Sequence, residues 1–114
     1  MRKYFPVVIG LFMWAGAAFV NLADEFVQVE NSAEYQGASW ENLVSVQRGL
    51  TIDQAYQYAK DHPEVTYFFH TVGWSLVLDT PRGRQRFNYG DAAFFSGKPW
   101  WGEAAGLANG YTKK

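Results

Sequence analysis

The chain contains no cysteine among its 114 residues. Without thiols it forms no disulfide, holds no cysteine-ligated zinc or iron–sulfur cluster, and has neither a thiol nucleophile nor a lipid-bearing cysteine. Export is not excluded, because exported domains also fold without disulfides. The missing cysteines therefore remove several kinds of site without fixing the compartment.

An excess of positive charge is missing too. With Arg2 and Lys3 set aside, eight basic and eleven acidic residues give a net charge of −3. Nucleic acids attract proteins through clustered Lys and Arg, so we expect no nucleic-acid partner. The chain does have many apolar (48%) and aromatic (18%) residues. That composition suits one folded domain and argues against global disorder.

Sequence motifs for catalysis are also lacking. No phosphate-binding loop or dinucleotide fingerprint is present, and no nucleophile elbow surrounds Ser75. The two histidines, His62 and His70, do not have the spacing of metal ligands. We therefore predict a protein that is not an enzyme and that has no metal or cofactor. The alternative, a hydrolase, would depend on His70 with Asp79 or Asp91.

Residues 4–23 form an uncharged apolar run. About 20 residues span roughly 30 Å as a helix, which matches the thickness of a bilayer. Two basic residues precede the run and two acidic residues follow it, which predicts a cytoplasmic N-terminus and an extracytoplasmic remainder. We expect a retained single-pass anchor. The alternative is a signal peptide that is cleaved after Ala23.

Small residues are concentrated in the middle of this run, where Trp14 is followed by Ala15, Gly16, Ala17 and Ala18. Such a cluster lets a neighbouring helix approach closely, although small residues can also simply fill an apolar helix. The run has no histidine and no charge, so it provides neither a haem ligand nor a proton relay. We predict a scaffolding helix whose partners are the bilayer and the subunits of a membrane protein complex.

The remainder, residues 24–114, predicts an α+β domain with one helix against an antiparallel β-meander. The helix is expected at 52–61, because Thr51 and Gln54 have the spacing of a capping box and His62-Pro63 ends the pattern. One face of this helix is apolar and carries Ile52, Ala55, Tyr56 and Ala59.

Strand patterns lie on both sides of the helix. The runs "EVTYFFHTVG", "WSLVLD", "RQRFNY" and "AAFF" are joined by short turns such as "TPRG", which predicts the meander. Before the helix we expect a strand at 43–47 and a short strand in "EFVQVE". The segment "NSAEYQGAS" predicts a loop, and the tail from Trp100 onward is expected to wrap over the sheet.

Two adjacent tryptophans, Trp100 and Trp101, stand in a segment of otherwise small and polar residues. Adjacent side chains of an extended chain point in opposite directions, so we expect one to close the core and the other to be exposed to a partner. Lys98, Glu103 and Asn109 are predicted to orient a bound ligand or partner.

Arg82, Arg84 and Arg86 are spaced by two, which places them on one face of a strand. Such a row suits a phosphate, a lipid headgroup or a docking partner. The alternative, which we favour for this feature, is a solvated face that protects an edge strand from aggregation.

Taken together, the features predict a non-catalytic accessory subunit of a membrane protein complex. Residues 1–23 would be the transmembrane or signal helix, and residues 24–114 an extracytoplasmic domain that docks through the tryptophan-rich tail and the arginine row. The alternative is a secreted, lectin-like module that binds a glycan at Trp100 and Trp101.

Overall fold

The structure, a computed structural model, describes residues 21–114. Residues 1–20 of the predicted anchor, including the proposed helix-packing residues from Trp14 to Ala18, lie outside the described residues. Its last residues, Leu22 and Ala23, begin a short 3₁₀ helix and pack against the domain core. Within the part of the chain that is described, no helix is both long enough and apolar enough to cross a membrane.

The described residues form nine strands and one α-helix. In chain order they are β1 (Phe26–Val29), β2 (Ser32–Glu34), β3 (Leu43–Gln47), α1 (Ile52–Asp61), β4 (Tyr67–Thr71), β5 (Leu76–Thr80), β6 (Gly83–Phe87), β7 (Ala92–Phe95), β8 (Trp101–Glu103) and β9 (Ala108–Lys113). Short 3₁₀ helices at Leu22–Glu25 and Ala38–Asn42 precede β1 and β3.

A five-stranded sheet forms the middle layer of the domain. Its strand order is β1-β9-β4-β7-β3, and every neighbouring pair is antiparallel. All residues of β4 and β7 are buried. Strand alternation sends Phe68 and Phe94 to one face and Phe69 and Phe95 to the other. The sheet is therefore covered on both faces.

Helix α1 covers the first face with Ala55, Tyr56 and Ala59. It begins with the predicted capping box, in which Thr51 and Gln54 each accept a hydrogen bond from the other's backbone N–H. It ends at Asp61, because the ring of Pro63 disfavours helical geometry at the preceding residue. The predicted helix and both of its ends are confirmed.

Two small antiparallel units cover the second face, namely the β2–β8 ribbon and the β5–β6 hairpin. Trp40 is fully buried there, and its ring lies 5.0 Å from that of Phe95 and 6.2 Å from those of Phe69 and Phe87. One helix against antiparallel sheets is the predicted α+β class. The strand predicted at 43–47, the strand in "EFVQVE" and the hairpin turn at "TPRG" are confirmed as well.

The predicted meander is wrong, because β5 and β6 pair only with each other and β7 returns to pair with β4. Strands β4 and β7 are apolar on both faces and need a cover on each side, whereas β5 and β6 alternate and suit an outer layer.

Two further expectations are corrected by the pairing of strands that are distant in the sequence. The predicted loop "NSAEYQGAS" contains β2, which forms by pairing with the distant β8. Only the first part of the tail lies over the sheet, where β8 and Trp101 cover the second face, because its last strand, β9, lies inside the sheet between β1 and β4. Strand β2 pairs with β8 about 70 residues later, and β9 pairs with β4 and β1, about 40 and 80 residues earlier. Local patterns do not encode such pairings.

Candidate functional site

Two stacked aromatic rings, Tyr35 and Trp100, lie on the surface beside the β2–β8 ribbon. Their centroids are 5.5 Å apart and their planes differ by 23°. Tyr35 is 50% exposed and Trp100 is 62% exposed. We call these two residues the aromatic pair. Since the pair keeps more than half of its surface in solvent, it contributes little to the core.

The backbone around the aromatic pair is held in place. The N–H of Tyr35 donates to the carbonyl of Trp100 at 2.7 Å, and the N–H of Trp100 donates to the Glu34 carboxylate at 3.1 Å. The indole of Trp40 donates to the carbonyl of Tyr35 at 2.9 Å. Glu34 is also buried. The pKa of Tyr67 is raised, first by the burial of Tyr67 itself and then by the negative charge of Glu34. The pair is therefore exposed yet fixed, an arrangement that lowers the entropy cost of binding.

Trp101 has the opposite role and packs onto the second face of the sheet. Its ring lies edge-on to Tyr67 at 5.4 Å and directly over Gly110. A Cβ atom at position 110 would come within 2.5 Å of the indole, so only glycine leaves room for it. The expected division is confirmed for burial: Trp101 serves the fold and Trp100 is exposed.

The polar residues predicted beside the tryptophans are spread out. Lys98 is exposed in the loop that follows β7. Glu103 and Asn109 both accept hydrogen bonds from Asn31, at 3.4 and 2.9 Å. Strand alternation places Asn109 on the other side of the sheet from Trp101. Lys98 thus stays close to Trp100 along the chain, whereas Asn109 fixes a turn at another place.

The three arginines lie on the outside of the β5–β6 hairpin, Arg84 and Arg86 within β6 and Arg82 in the turn before it. All three are exposed. Each donates a hydrogen bond within the chain: Arg82 to the carbonyl of Trp40 at 3.2 Å, Arg84 to Asp79 at 2.8 Å, and Arg86 to Ser75 at 2.8 Å. These bonds hold the guanidinium groups against the hairpin surface.

The candidate residues of a hydrolase site, His70, Asp79 and Ser75, each form a hydrogen bond with a different partner. His70 contacts the carbonyl of Leu50 at 2.7 Å, Asp79 pairs with Arg84, and Ser75 accepts from Arg86. The structure does not join them in one hydrogen-bonded set. Within residues 21–114, no three His, Asp or Glu side chains come together as ligands for a metal ion.

Asp91 is a buried carboxylate that accepts hydrogen bonds from the backbone N–H groups of Gly49 and Asn88 and from the Arg48 guanidinium, at 2.7–2.9 Å. Burial alone raises its pKa. The two N–H groups and then Arg48 outweigh burial, so the pKa of Asp91 lies below its ordinary value. The group is charged at neutral pH and ties the β3–α1 and β6–β7 connections together.

Tyr35 is the site residue that sequence reasoning missed. The segment around it predicts a loop, and Tyr35 comes beside Trp100 only because β2 pairs with β8. The one local indication was an aromatic residue within a polar stretch, which is common in ordinary loops.

Comparison of the chain with protein-family models, with curated proteins and with solved structures gives no match.

Proposed function

We propose that this protein is a non-catalytic accessory subunit that is anchored by its N-terminal apolar run, which begins at residue 4, and docks onto a larger membrane protein complex through the aromatic pair. The observation that carries the proposal is Trp100, which is held by stacking and backbone hydrogen bonds while 62% of it is exposed. Tryptophan and tyrosine supply much of the affinity at protein interfaces. A rigid, exposed pair of this kind suits a partner protein better than it suits the core.

The position of the aromatic pair also supports docking close to an anchor. Strand β1 begins at the end of the sheet where β9 and β7 finish, since Phe26 pairs with Lys113 and Tyr67 pairs with Phe95. Residues 96–100 continue from that end to the aromatic pair. A partner bound there would lie near the segment through which the domain is joined to residues 4–23.

Charged residues would form a polar rim around the docked surface. Lys98 is exposed two residues before Trp100, and the arginines at positions 82, 84 and 86 remain exposed on the neighbouring hairpin. Rim charges contribute to the rate and specificity of association more than to affinity. We therefore expect their replacement to alter the salt dependence of docking.

The first experiment measures the intact mass of the natively expressed protein in membrane and soluble fractions after a high-salt wash. A full-length mass in the membrane fraction is expected. The complex is then purified with the wild-type chain, with Trp100→Ala and with Trp74→Ala. Trp74 is the matched control, because it is 85% exposed but follows β4 at the other end of the sheet.

The wild type and Trp74→Ala should recover the complex at a fixed stoichiometry. Trp100→Ala should weaken the affinity for the complex roughly 30-fold and so reduce recovery, as expected for an interface residue that contributes about 2 kcal/mol. Unchanged recovery with Trp100→Ala contradicts docking through the aromatic pair. A mass that lacks residues 1–23, found in the soluble fraction, contradicts the anchor.

The outer face of Trp100 supports a second candidate function, glycan binding by a secreted module. One face of the indole is stacked on Tyr35, and the other is left for a sugar ring. Titration with a broad glycan panel would then change the tryptophan fluorescence of the wild type and of Trp74→Ala but not of Trp100→Ala. Trp101→Ala is unsuitable, since it removes a side chain of the core. A panel without any response contradicts this function.

A further inference from the structure

A cleft of about 650 Å³ lies beside the first turn of α1, at the end of the five-stranded sheet where β4 finishes. Its floor is made by three buried side chains, Tyr56, His70 and Tyr111, which are 5–8% exposed. Val72 and Tyr89 form the rim and are 40% and 70% exposed. Clefts of roughly 300–1,000 Å³ are typical of small-molecule sites.

One wall of the cleft is fixed by backbone hydrogen bonds. The N–H of Leu50 donates to the carbonyl of Gly90 at 2.8 Å, and the N–H of Gly90 donates to the carbonyl of Thr71 at 2.9 Å. Gly90 has a φ of +88°, and a Cβ atom there would lie 3.0 Å from the Leu50 carbonyl. Glycine at position 90 lets the backbone segments approach this closely. The hydrogen bonds between them form the wall before any ligand binds.

His70 gives the floor of the cleft a defined polar group. Its Nε2 atom lies 2.7 Å from the carbonyl oxygen of Leu50. A carbonyl can only accept, so Nε2 carries the hydrogen and Nδ1 of the neutral ring is an acceptor. Since Nε2 is bound to Leu50, Nδ1 is the ring atom that remains to accept a hydrogen bond.

The remaining lining is uncharged and consists of aromatic and aliphatic side chains, two glycines and Thr51. None of the described residues that line the cleft is Asp, Glu, Lys or Arg. The rings of Tyr56 and Tyr111 meet edge-on at 5.4 Å, and burial raises the pKa of both hydroxyls further above neutral pH. A charged ligand would lose its hydration here without compensation, whereas a neutral aromatic ring would gain contacts.

We propose that this cleft binds a neutral, planar aromatic compound whose hydroxyl or N–H group donates a hydrogen bond to Nδ1 of His70. The ring of the ligand packs against Tyr56 and Tyr111, and its donor satisfies the imidazole. The cleft shares no residue with the aromatic pair, so this proposal does not depend on the proposed docking function.

The test uses the full-length protein with ¹⁵N-labelled histidine and two matched probes, methyl 4-hydroxyphenylacetate and methyl 4-methoxyphenylacetate. The probes share a ring and an ester, but only the first has a hydrogen-bond donor. The hydroxyl probe should bind about 10-fold more tightly, the effect of one neutral hydrogen bond, and should shift the Nδ1 resonance of His70. The resonances of His62, whose Nδ1 contacts the carbonyl of Tyr58, provide the internal reference.

Variants separate the hydrogen bond from the cavity. His70→Gln keeps an N–H donor for Leu50 but lacks Nδ1, so the 10-fold preference should fall to about 1. Val72→Trp should block the rim and weaken both probes at least 10-fold. Val77→Trp should weaken neither, because Val77 has the same 40% exposure but does not line the cleft.

Equal binding of the two probes by the wild-type protein overturns the proposal, and so does no binding of either probe up to its solubility. Equal losses in Val72→Trp and Val77→Trp also overturn it. The comparison of the two valine variants does not involve His70, so it decides the outcome even if His70→Gln fails to fold.

Discussion

The buried polar side chains of this domain hold separate parts of the chain together. One carboxylate, that of Asp91, binds the backbone before α1, the backbone before β7 and the Arg48 guanidinium. Such a group is costly to disturb, because each partner then lacks its acceptor.

Asp91→Asn should therefore lower the free energy of unfolding by about 2–3 kcal/mol at neutral pH, because a charge-assisted acceptor is replaced by a neutral group with its own N–H donors. Urea unfolding measures the change. Asp79→Asn is the control, since the Asp79–Arg84 pair is exposed and should contribute little. Similar effects for the two variants would contradict the structural role of Asp91.

The same carboxylate gives a pH dependence with a definite sign. The pKa of Asp91 in the folded state lies below its ordinary value of 3.8, so its stabilisation is fully present above that value and is lost as the pH falls through the lower, folded pKa. The difference in unfolding free energy between wild type and Asp91→Asn should therefore shrink only below about pH 4. A difference that is already lost at pH 6 would contradict this assignment.

Gly110 lies directly beneath the ring of Trp101. Gly110→Ala should destabilise the domain by about 1–3 kcal/mol, because the added methyl group displaces the Trp101 ring from the sheet. The near-UV circular dichroism should change along with the unfolding midpoint. Gly37→Ala is the matched control, since its Cβ would meet only Tyr35, at an ordinary 3.4 Å.

The two histidines should carry opposite neutral tautomers. His62 places Nδ1, and His70 places Nε2, 2.7 Å from a carbonyl oxygen, and each of those nitrogens must carry the hydrogen. Long-range ¹H–¹⁵N spectra of the neutral rings distinguish the two forms. The same tautomer at both residues would contradict the orientation assigned to the ring in the cleft.

At the scale of elements, the burial pattern of each strand decides its layer. Strands β4 and β7 are apolar on both faces and become central, whereas β5 and β6 alternate and form the outer hairpin. Helix α1 depends on its apolar face for packing and on the capping box for its start. Pattern and capping are local, which is why these elements are predictable from the sequence.

Thr51→Ala tests the capping box. The change removes the acceptor for the N–H of Gln54 and should cost about 1 kcal/mol, measured by chemical or thermal unfolding. Gln57→Ala is the control, because its side chain is exposed and makes only an i,i+4 contact with Asp61. Equal losses for the two variants would mean that the cap does not stabilise this helix.

In the whole molecule, the five-stranded sheet separates two aromatic cores, with the aromatic pair beside the β2–β8 ribbon and the cleft beside α1. Among the described residues, the buried members of both cores come from residues 26–111, and Leu22 and Ala23 pack at the edge of one of them. The aromatic pair and the cleft are both formed by residues of this range.

A chain that begins at Asn21 should therefore fold like the full-length protein. Its cooperative thermal unfolding should occur within a few degrees of the full-length midpoint, and the amides of β4, β7 and β9 should exchange most slowly. Circular dichroism and hydrogen exchange measure both properties. Loss of cooperative unfolding would mean that residues 1–20 are needed for the domain to fold.

Helix α1 with its two ends, the strand at 43–47, the α+β class and the presence of one exposed and one packed tryptophan are predictable from the sequence. These features depend on capping, proline geometry and side-chain alternation, which act over a few residues. The insertion of β9, the β2–β8 pairing that brings Tyr35 to Trp100, and the meeting of Tyr56, His70 and Tyr111 in one cleft are visible only in the folded domain. Such pairings are selected by burial and shape across the whole chain, and local patterns do not specify them.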